Sequence, residues 1–232
     1  MKTGKLIKGF TVLAVMLVIS GFIATNVFAQ RGYSNFSTGI LNSINSIEQK
    51  ELSKEEIEGM LLMREEEKLA RDVYMALYEK WNLRTFATIG QESETTHMDA
   101  MKMLLDRYNL EDPIAEDVPG VFKSEELQKA YQDLIEKGNK SLEDALFVGA
   151  YIEDLDIYDL ERLIESTDND DIKIVYQNLL KGSRNHLRAF DRQLQRYNLS
   201  YEAQFLTQQE YDRIAASNQE SGGAITDPDY QF

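Results

Sequence analysis

The stretch "IKIVYQNLLKGSRNHLRAFDRQL", residues 172–194, repeats apolar residues at the three- and four-residue spacing of one helix face. The stripe consists of Ile172, Val175 or Tyr176, Leu179, Ser183, His186, Phe190 and Leu194. His186 is one of only two histidines in the chain. The pattern directs its imidazole toward the protein core, where a polar group needs a partner. The stretch therefore predicts a long helix with polar chemistry in the middle of its buried face.

Two further helical patterns also place polar residues on apolar stripes. The second histidine, His97, follows Glu94 by three residues and shares a face with Met101. Elsewhere, Glu153 and Asp156 occupy the centre of an apolar stripe, again three residues apart. An unpaired carboxylate is costly to bury, so we expect a positive charge to neutralise these acids.

A fourth segment, residues 60–81, is apolar around more than half of its circumference. Glu66 lies on a stripe with Leu69, whereas Glu67 lies on a stripe with Ala70 and Tyr74. Periodicity alone does not decide whether Glu66 or Glu67 faces the core.

Capping patterns predict where the helices begin. A capping box at 53–56 opens a helix that ends near Trp81, and "SLED" at 141–144 and "TQQE" at 207–210 cap two later helices. The other expected helices span about 85–108, about 124–136 and about 170–197. Two long helices, a long connection containing Pro113 and Pro119, and two more long helices predict an all-α four-helix bundle with one crossover.

The segments outside this domain have their own patterns. Three lysines, an apolar run at 10–23 and small residues before Gln30 predict a secretory signal peptide at 1–29, and hence an extracytoplasmic location. An uncleaved membrane anchor is the alternative. We expect a linker at 30–52 with at most a short helix, a domain at 53–217 and a mobile tail at 218–232.

Composition limits the chemistry. The chain has no cysteine, which excludes disulfides, thiolate zinc sites, iron–sulfur clusters and a cysteine nucleophile. Its 40 acidic and 25 basic residues give a net charge of −15, which argues against nucleic acid and anionic membranes as partners. Any bound metal must therefore be held by oxygen and imidazole ligands.

Glycines recur at a fixed distance from the polar core residues. Each stands four residues before a candidate, in the pairs Gly90 and Glu94, Gly149 and Glu153, and Gly182 and His186. Glycine inside a helix costs about 1 kcal/mol relative to alanine, so the spacing indicates a need for room or for close helix packing. Both interpretations remain open.

Two imidazoles and several carboxylates converging in a helical core are typical of a site for two iron or manganese ions. The alternative is a buried polar network without metal, in a bundle that is purely structural. Both histidines of the chain fall on inner faces, and this favours the metal site.

Four motifs extend this interpretation through a resemblance. They are "EKLARDVY" at 67–74, "QESETTH" at 91–97, "GAYIEDLD" at 149–156 and "GSRNHLRAF" at 182–190. Together they resemble an uncharacterised bacterial and archaeal group of ferritin-like domains, related to rubrerythrins and bacterioferritins, over about residues 55–215. The resemblance implies a ferritin-like four-helix bundle with the metal ligands Glu67, Glu94, His97, Glu153, Asp156 and His186.

The resemblance also selects Glu67 over Glu66, because the first ligand in such proteins is a glutamate followed by alanine three and tyrosine seven residues later. The leading hypothesis has Glu94 and Glu153 as bridging ligands, His97 and His186 on one metal each, and Glu67 and Asp156 as terminal ligands. One position departs from the family pattern: Ser183 stands where a glutamate is usual. The second metal therefore loses a carboxylate unless Asp156 supplies one, and a weakened or single-metal site is the alternative to a complete dinuclear one.

The expected function is that of an exported metalloprotein with a dinuclear iron or manganese site that reacts with oxygen or peroxide. Three tyrosines, Tyr74, Tyr151 and Tyr176, are candidates to donate a hydrogen bond or an electron near the metals. The chain lacks the cysteine-ligated iron module of rubrerythrins, so their built-in electron relay is not implied. Metal binding or storage without turnover is the second hypothesis. The sequence leaves the oligomeric state open, with a homo-oligomer as one alternative.

Overall fold

The computed structural model describes residues 38–232, and all regular structure within that range is helical. The helices are α1 (38–45), α2 (Lys54–Trp81), α3 (Arg84–Ala87), α4 (Thr95–Arg107), α5 (Glu125–Gly138), α6 (Leu142–Ser166), α7 (Asp170–Arg196) and α8 (Gln208–Ala216), and a π-helical segment spans Thr88–Glu94. The predicted all-α class is therefore confirmed.

The predicted caps begin the helices to which they were assigned. The Ser53 hydroxyl accepts a hydrogen bond from the Glu56 backbone N–H at 3.1 Å, and the Glu56 carboxylate accepts one from the Ser53 N–H at 2.8 Å. Thr207 caps α8 in the same reciprocal way, and Ser141 caps α6. These bonds satisfy backbone donors that a helix leaves free at its start, which is why short local patterns located the helices well.

The second predicted helix is not uniform. The sequence predicts one α-helix over about 85–108, whereas the structure inserts seven π-helical residues between α3 and α4. A π turn holds more residues than an α turn and is frequent at functional sites. Here it ends on Glu94 and passes close to α2, because a Cβ on Gly90 would lie 3.2 Å from the Cβ of Tyr74.

The long helices enclose a common core. α2 packs against both α4 and α6, and α7 packs against the same two helices, while α5 covers α2 and α6 and α8 covers α7. Apolar side chains such as Met63, Val73, Leu104, Leu160 and Leu179 are fully buried there. Several charged side chains are buried with them, halfway along α2, α6 and α7.

The crossover between α4 and α5 is fastened to α2 by charged groups. Arg64 pairs with Asp112 at 3.0 Å, and the ammonium group of Lys68 donates to the backbone carbonyl of Val118 at 2.8 Å. The Asp72 carboxylate accepts from the Gly120 N–H at 2.8 Å. The crossover therefore covers the outer face of α2, the helix whose inner face carries the first candidate ligand.

The predicted signal peptide at 1–29 lies outside the described residues. The later part of the predicted linker contains α1, whose Ile40 and Ile44 are buried. In the 218–232 segment, Ile225 exchanges two backbone hydrogen bonds with the Asn178 side chain of α7, at 2.8 and 2.9 Å. The mobility of that segment in solution stays a prediction. Within residues 38–232, no helix has the length and apolar character needed to cross a membrane.

Candidate metal centre

The two histidines face one another across Glu94. Glu94 Oε2 lies 2.9 Å from His97 Nδ1, and Glu94 Oε1 lies 3.0 Å from His186 Nδ1. The two imidazole rings are stacked, with their centroids 5.5 Å apart. All three side chains are buried. One carboxylate, from the end of the π-helical segment, thus separates an imidazole of α4 from an imidazole of α7.

Each histidine also has a second carboxylate neighbour. Glu67 Oε2 of α2 lies 3.0 Å from His97 Nδ1, and Glu153 Oε2 of α6 lies 3.3 Å from His186 Nδ1. Five of the six predicted ligands therefore meet directly, and they come from α2, the π-helical segment, α4, α6 and α7.

Several ligand atoms in this cluster are buried without a hydrogen bond. Within the described residues, no aligned partner exists for Glu67 Oε1, Glu94 Oε1, Glu94 Oε2, Glu153 Oε2 or His186 Nδ1. His97 Nδ1 and Glu67 Oε2 form a hydrogen bond at 3.0 Å. The Glu94 oxygens and Glu153 Oε2 are also close to the imidazole nitrogens, but they are not aligned for hydrogen bonding. Ligand atoms about 2.1 Å from a divalent ion lie about 3 Å apart when they are adjacent in an octahedron. The observed separations of 2.9 to 3.3 Å match that value.

Among the described residues, Glu94, His97 and His186 have ligand atoms that all lie within 4.8 Å of one another, close enough to share one ion. Asp156 is buried beside this group, three residues after Glu153, but forms no ion pair with either histidine of the described chain. Glu66 is buried as well, and it is Glu67 rather than Glu66 that contacts His97.

Of the two serines Ser183 and Ser93, only Ser93 contacts a candidate metal ligand. Ser183 is buried, and its hydroxyl donates to the backbone carbonyl of Leu179 at 3.2 Å, so it supplies no charge. Ser93, which the sequence analysis missed, lies 2.7 Å from His186 Nε2 through its hydroxyl oxygen. A partner on Nε2 fixes the ring and leaves Nδ1 facing the carboxylates. The only signal in the sequence is a hydroxyl residue next to Glu94.

Of the three candidate tyrosines, Tyr74 reaches the centre. Its buried hydroxyl donates a hydrogen bond to Glu153 Oε1. Tyr151 instead packs edge-on against Phe205, and the hydroxyl of Tyr176 is buried without a hydrogen-bond partner among residues 38–232. Tyr74 therefore helps to orient a candidate ligand.

The histidines have strongly shifted pKa values. Burial alone would lower the pKa of His186, but the charges of Glu94 and Glu153 outweigh it and raise that pKa to about 10. Burial likewise opposes protonation of His97, and Glu67 and Glu94 raise its pKa well above the usual value. For Glu94, burial would raise the pKa, yet the charges of His186 and His97 lower it. Without metal, a carboxylate is thus held between two imidazolium ions.

Two other acids of the cluster, Glu67 and Asp156, have raised pKa values, in contrast to Glu94. Burial, partly offset by His97, raises the pKa of Glu67 to about 7. Burial and the nearby charges of Glu67 and Glu153 raise the pKa of Asp156 well above its ordinary range. The cluster therefore retains protons at neutral pH because it lacks enough positive charge of its own, and divalent cations are able to supply that charge.

The glycines serve both purposes that the sequence left open. A Cβ on Gly182 would lie 2.2 Å from His97 Nε2, so this glycine makes room for a candidate ligand. A Cβ on Gly149 would lie 2.3 Å from the Phe190 ring, so that glycine allows α6 and α7 to pack closely.

The Gly182→Ala substitution is expected to lower the free energy of unfolding by about 1–3 kcal/mol, because overpacking forces the His97 ring to move. Chemical denaturation measures the loss. The matched control is Gly59→Ala, whose Cβ would meet the flexible end of Leu163 at 2.5 Å, away from the histidines. Gly182→Ala and Gly59→Ala proteins of equal stability would contradict this account of Gly182.

The chain is similar to known proteins in both sequence and structure. A family model described as "Uncharacterized protein domain (DUF2202)" matches residues 56–218. The uncharacterized protein MJ0754 of Methanocaldococcus jannaschii is 54% identical over 183 residues, which are 79% of this chain and 98% of that protein. The crystal structure of the hypothetical protein MJ0754 superimposes with a TM-score of 0.73 at 54% identity, covering 75% of this chain and 99% of that one. This chain therefore belongs to the DUF2202 family of uncharacterized protein domains.

Proposed function

We propose that this protein is a ferritin-like four-helix metalloprotein, related to rubrerythrins and bacterioferritins, that binds two iron or manganese ions. The helix contacts support the architecture: α2, α4, α7 and α6 each pack against the next, and α6 packs against α2, which closes a ring of four helices. Between the second and third of these helices in the chain lies a long crossover that contains α5.

The position of Glu94 carries the proposal. Its two carboxylate oxygens face different imidazoles, and each imidazole has its own second carboxylate, Glu67 for His97 and Glu153 for His186. The cluster thus divides into two half-sites that share Glu94. Glu94 would therefore contribute to both half-sites, and Asp156, buried beside Glu67 and Glu153, would be a further carboxylate for the pair.

The ligand chemistry favours iron or manganese. Imidazole and carboxylate together suit these ions, and two divalent ions would balance the charge of Glu67, Glu94, Glu153 and Asp156. Such a pair would supply redox chemistry toward oxygen or peroxide. The chain itself would hold the ions, exclude bulk water and orient Glu153 through the Tyr74 hydroxyl.

One observation favours a smaller site. Ser183, where a glutamate is usual in related proteins, is engaged with its own helix, and only Glu94, His97 and His186 have ligand atoms that all lie within 4.8 Å among the described residues. A mononuclear site that holds metal without turnover is therefore the second candidate.

Metal content tests the proposal. The purified protein, reconstituted with iron(II) or manganese(II) and analysed by mass spectrometry, is expected to hold about two ions per chain. The His97→Ala/His186→Ala protein is expected to hold none. One ion per chain would support the mononuclear candidate, and none in the wild-type protein would leave a structural bundle. Repeated consumption of peroxide with an added reductant would then separate catalysis from storage.

The metal-free protein is expected to lose stability as the pH rises from about 5 to about 10. The folded pKa values of Glu67, Glu66 and His186, about 7, about 8 and about 10, all lie above the ordinary values of 4.5 for glutamate and 6.5 for histidine. Between the ordinary and folded values the folded state binds more protons than the unfolded state, so stability decreases with increasing pH.

Urea denaturation from pH 5.5 to pH 9.5, with a chelator present, measures this dependence. Adding manganese(II) is expected to flatten or reverse the slope, because the ions replace the protons. A metal-free protein whose stability rises over this range would show that the histidines are not held as cations by these carboxylates.

A further inference from the structure

A cleft opens on the outside of the bundle between α2, α5 and α6, with a volume of about 300 Å³. Its walls are mostly apolar: Leu69 comes from α2, Leu127 and Leu134 from α5, and Ile152 from α6, and all four are buried. The charged residues Asp133 and Lys137 also belong to its lining. Three helices thus form a pocket within the usual size range for small-molecule sites.

Two acidic side chains within this cleft are not explained by packing. Glu66 and Asp156 line the cleft and are both buried. Glu66 Oε2 has no hydrogen-bond partner in the described part of the chain. A buried polar atom without a partner is costly, so a group that fills the cleft and bonds to it would relieve that cost.

The cleft lies next to the proposed metal centre. Glu66 adjoins Glu67 along α2, and Asp156 lies one helical turn after Glu153 on α6. A molecule in contact with Glu66 and Asp156 would therefore lie beside Glu67 and Glu153, and it would touch Asp156, itself a proposed carboxylate of the centre.

The lining defines the chemistry of the ligand. Aliphatic walls favour an apolar body, and the two buried carboxyl groups in the lining require a group that hydrogen-bonds to them. A hydroxyl does so whether the carboxyl groups are protonated or not, since it both donates and accepts. A ligand carboxylate placed beside these two carboxyl groups would lose its hydration without gaining a cation there. The volume is about twice that of an engineered cavity of about 150 Å³ that binds benzene.

We propose that this cleft binds a small apolar alcohol or phenol, with its hydroxyl group directed at Glu66 and Asp156. That such a molecule is a substrate of the metal centre rests on the proposed function, whereas its binding does not.

Methyl NMR spectra of the metal-free protein, titrated with phenol and with 1-hexanol, test the binding. Saturable shifts of leucine and isoleucine methyl resonances are expected, and hexanoate is expected to cause none.

Ala130→Trp, which fills the cleft from α5, should abolish the shifts, and Lys129→Trp, on the exposed side of the same helix, should preserve them. Glu66→Leu is expected to weaken 1-hexanol binding about ten-fold. No shifts, equal shifts in the Ala130→Trp protein or equal binding of hexanoate would overturn the proposal.

A second measurement separates this proposal from the proposed function. Protein loaded with manganese(II) is expected to broaden the resonances of bound 1-hexanol through the paramagnetism of the ion, and the Ala130→Trp protein is expected not to do so. Methyl shifts in a protein that binds no manganese would leave the cleft as a site and remove the metal centre. Manganese binding without methyl shifts would leave the metal centre and remove the cleft as a binding site.

Discussion

A Glu94→Gln protein is expected to bind iron or manganese more than about 100-fold more weakly than the wild-type protein. Substitutions that merely support a metal ligand cost about 10- to 100-fold in affinity, and a ligand shared by two ions should cost more. In the described part of the chain, Glu94 is the only carboxylate that lies within 3.0 Å of both imidazoles. Glutamine keeps the shape of the side chain but loses its charge and one oxygen ligand.

The same substitution should also destabilise the metal-free protein. The pKa of Glu94 is lowered below its usual range, so its carboxylate is ionised throughout the neutral range. Its removal leaves the imidazolium groups of His97 and His186 buried and facing one another, with ring centroids 5.5 Å apart. Removing one partner from a buried ion pair typically costs about 3–5 kcal/mol of unfolding free energy.

Calorimetric metal titration and urea denaturation measure the two effects. Glu92→Gln is the matched control for metal binding, because Glu92 lies in the same π-helical segment but is exposed, so the substitution should leave metal affinity nearly unchanged. A Glu94→Gln protein that still binds two ions with wild-type affinity would exclude Glu94 as the bridging ligand and would leave the half-sites to be held by Glu67 and Glu153.

The helices were predictable because their limits are encoded locally. A serine or threonine followed three residues later by a glutamate begins α2 and α8, and the bonds of Ser53 and Thr207 in the structure are those that the pattern requires. The positions of Glu94, His97 and His186 on inner faces were predictable for a related reason, since a period of about 3.6 residues fixes the face on which each side chain lies.

Other features depend on contacts between distant segments and carry no periodic signal. The π-helical segment forms where Gly90 approaches the backbone of α2, so helical periodicity gave no indication of it. The choice between Glu66 and Glu67 was open from periodicity because α2 is covered on most of its circumference. The structure shows the reason: α4 and α6 cover one side of α2, and α5 and the crossover cover the other.

Asp154 and Glu153 are adjacent in the sequence but have different roles. It follows Glu153 directly, yet its carboxylate is fully buried on another side of α6. It accepts hydrogen bonds from the Tyr201 hydroxyl at 3.0 Å and from the backbone N–H groups of three consecutive residues, Gln204, Phe205 and Leu206, at 2.6 to 3.2 Å. It therefore fastens the chain between α7 and α8 to the bundle.

Asp154→Asn is expected to lower the free energy of unfolding by at least about 3 kcal/mol. Hydrogen bonds to a charged acceptor contribute about 1.5–3 kcal/mol each, and the asparagine NH₂ group would face donors that it cannot satisfy. Tyr201→Phe is the graded control, because it removes one of the four donors and should cost about 1–2 kcal/mol. Chemical denaturation measures both variants.

The metal content of the Asp154→Asn protein should stay at the wild-type value under conditions in which the protein remains folded, because Glu153 keeps its contact with His186. This pairing of results distinguishes the two adjacent acids: loss of stability with metal retained identifies Asp154 as an anchor of the 201–206 segment. Loss of metal from a folded Asp154→Asn protein would instead mean that this segment positions Glu153, and that α6 does not hold the ligand by itself.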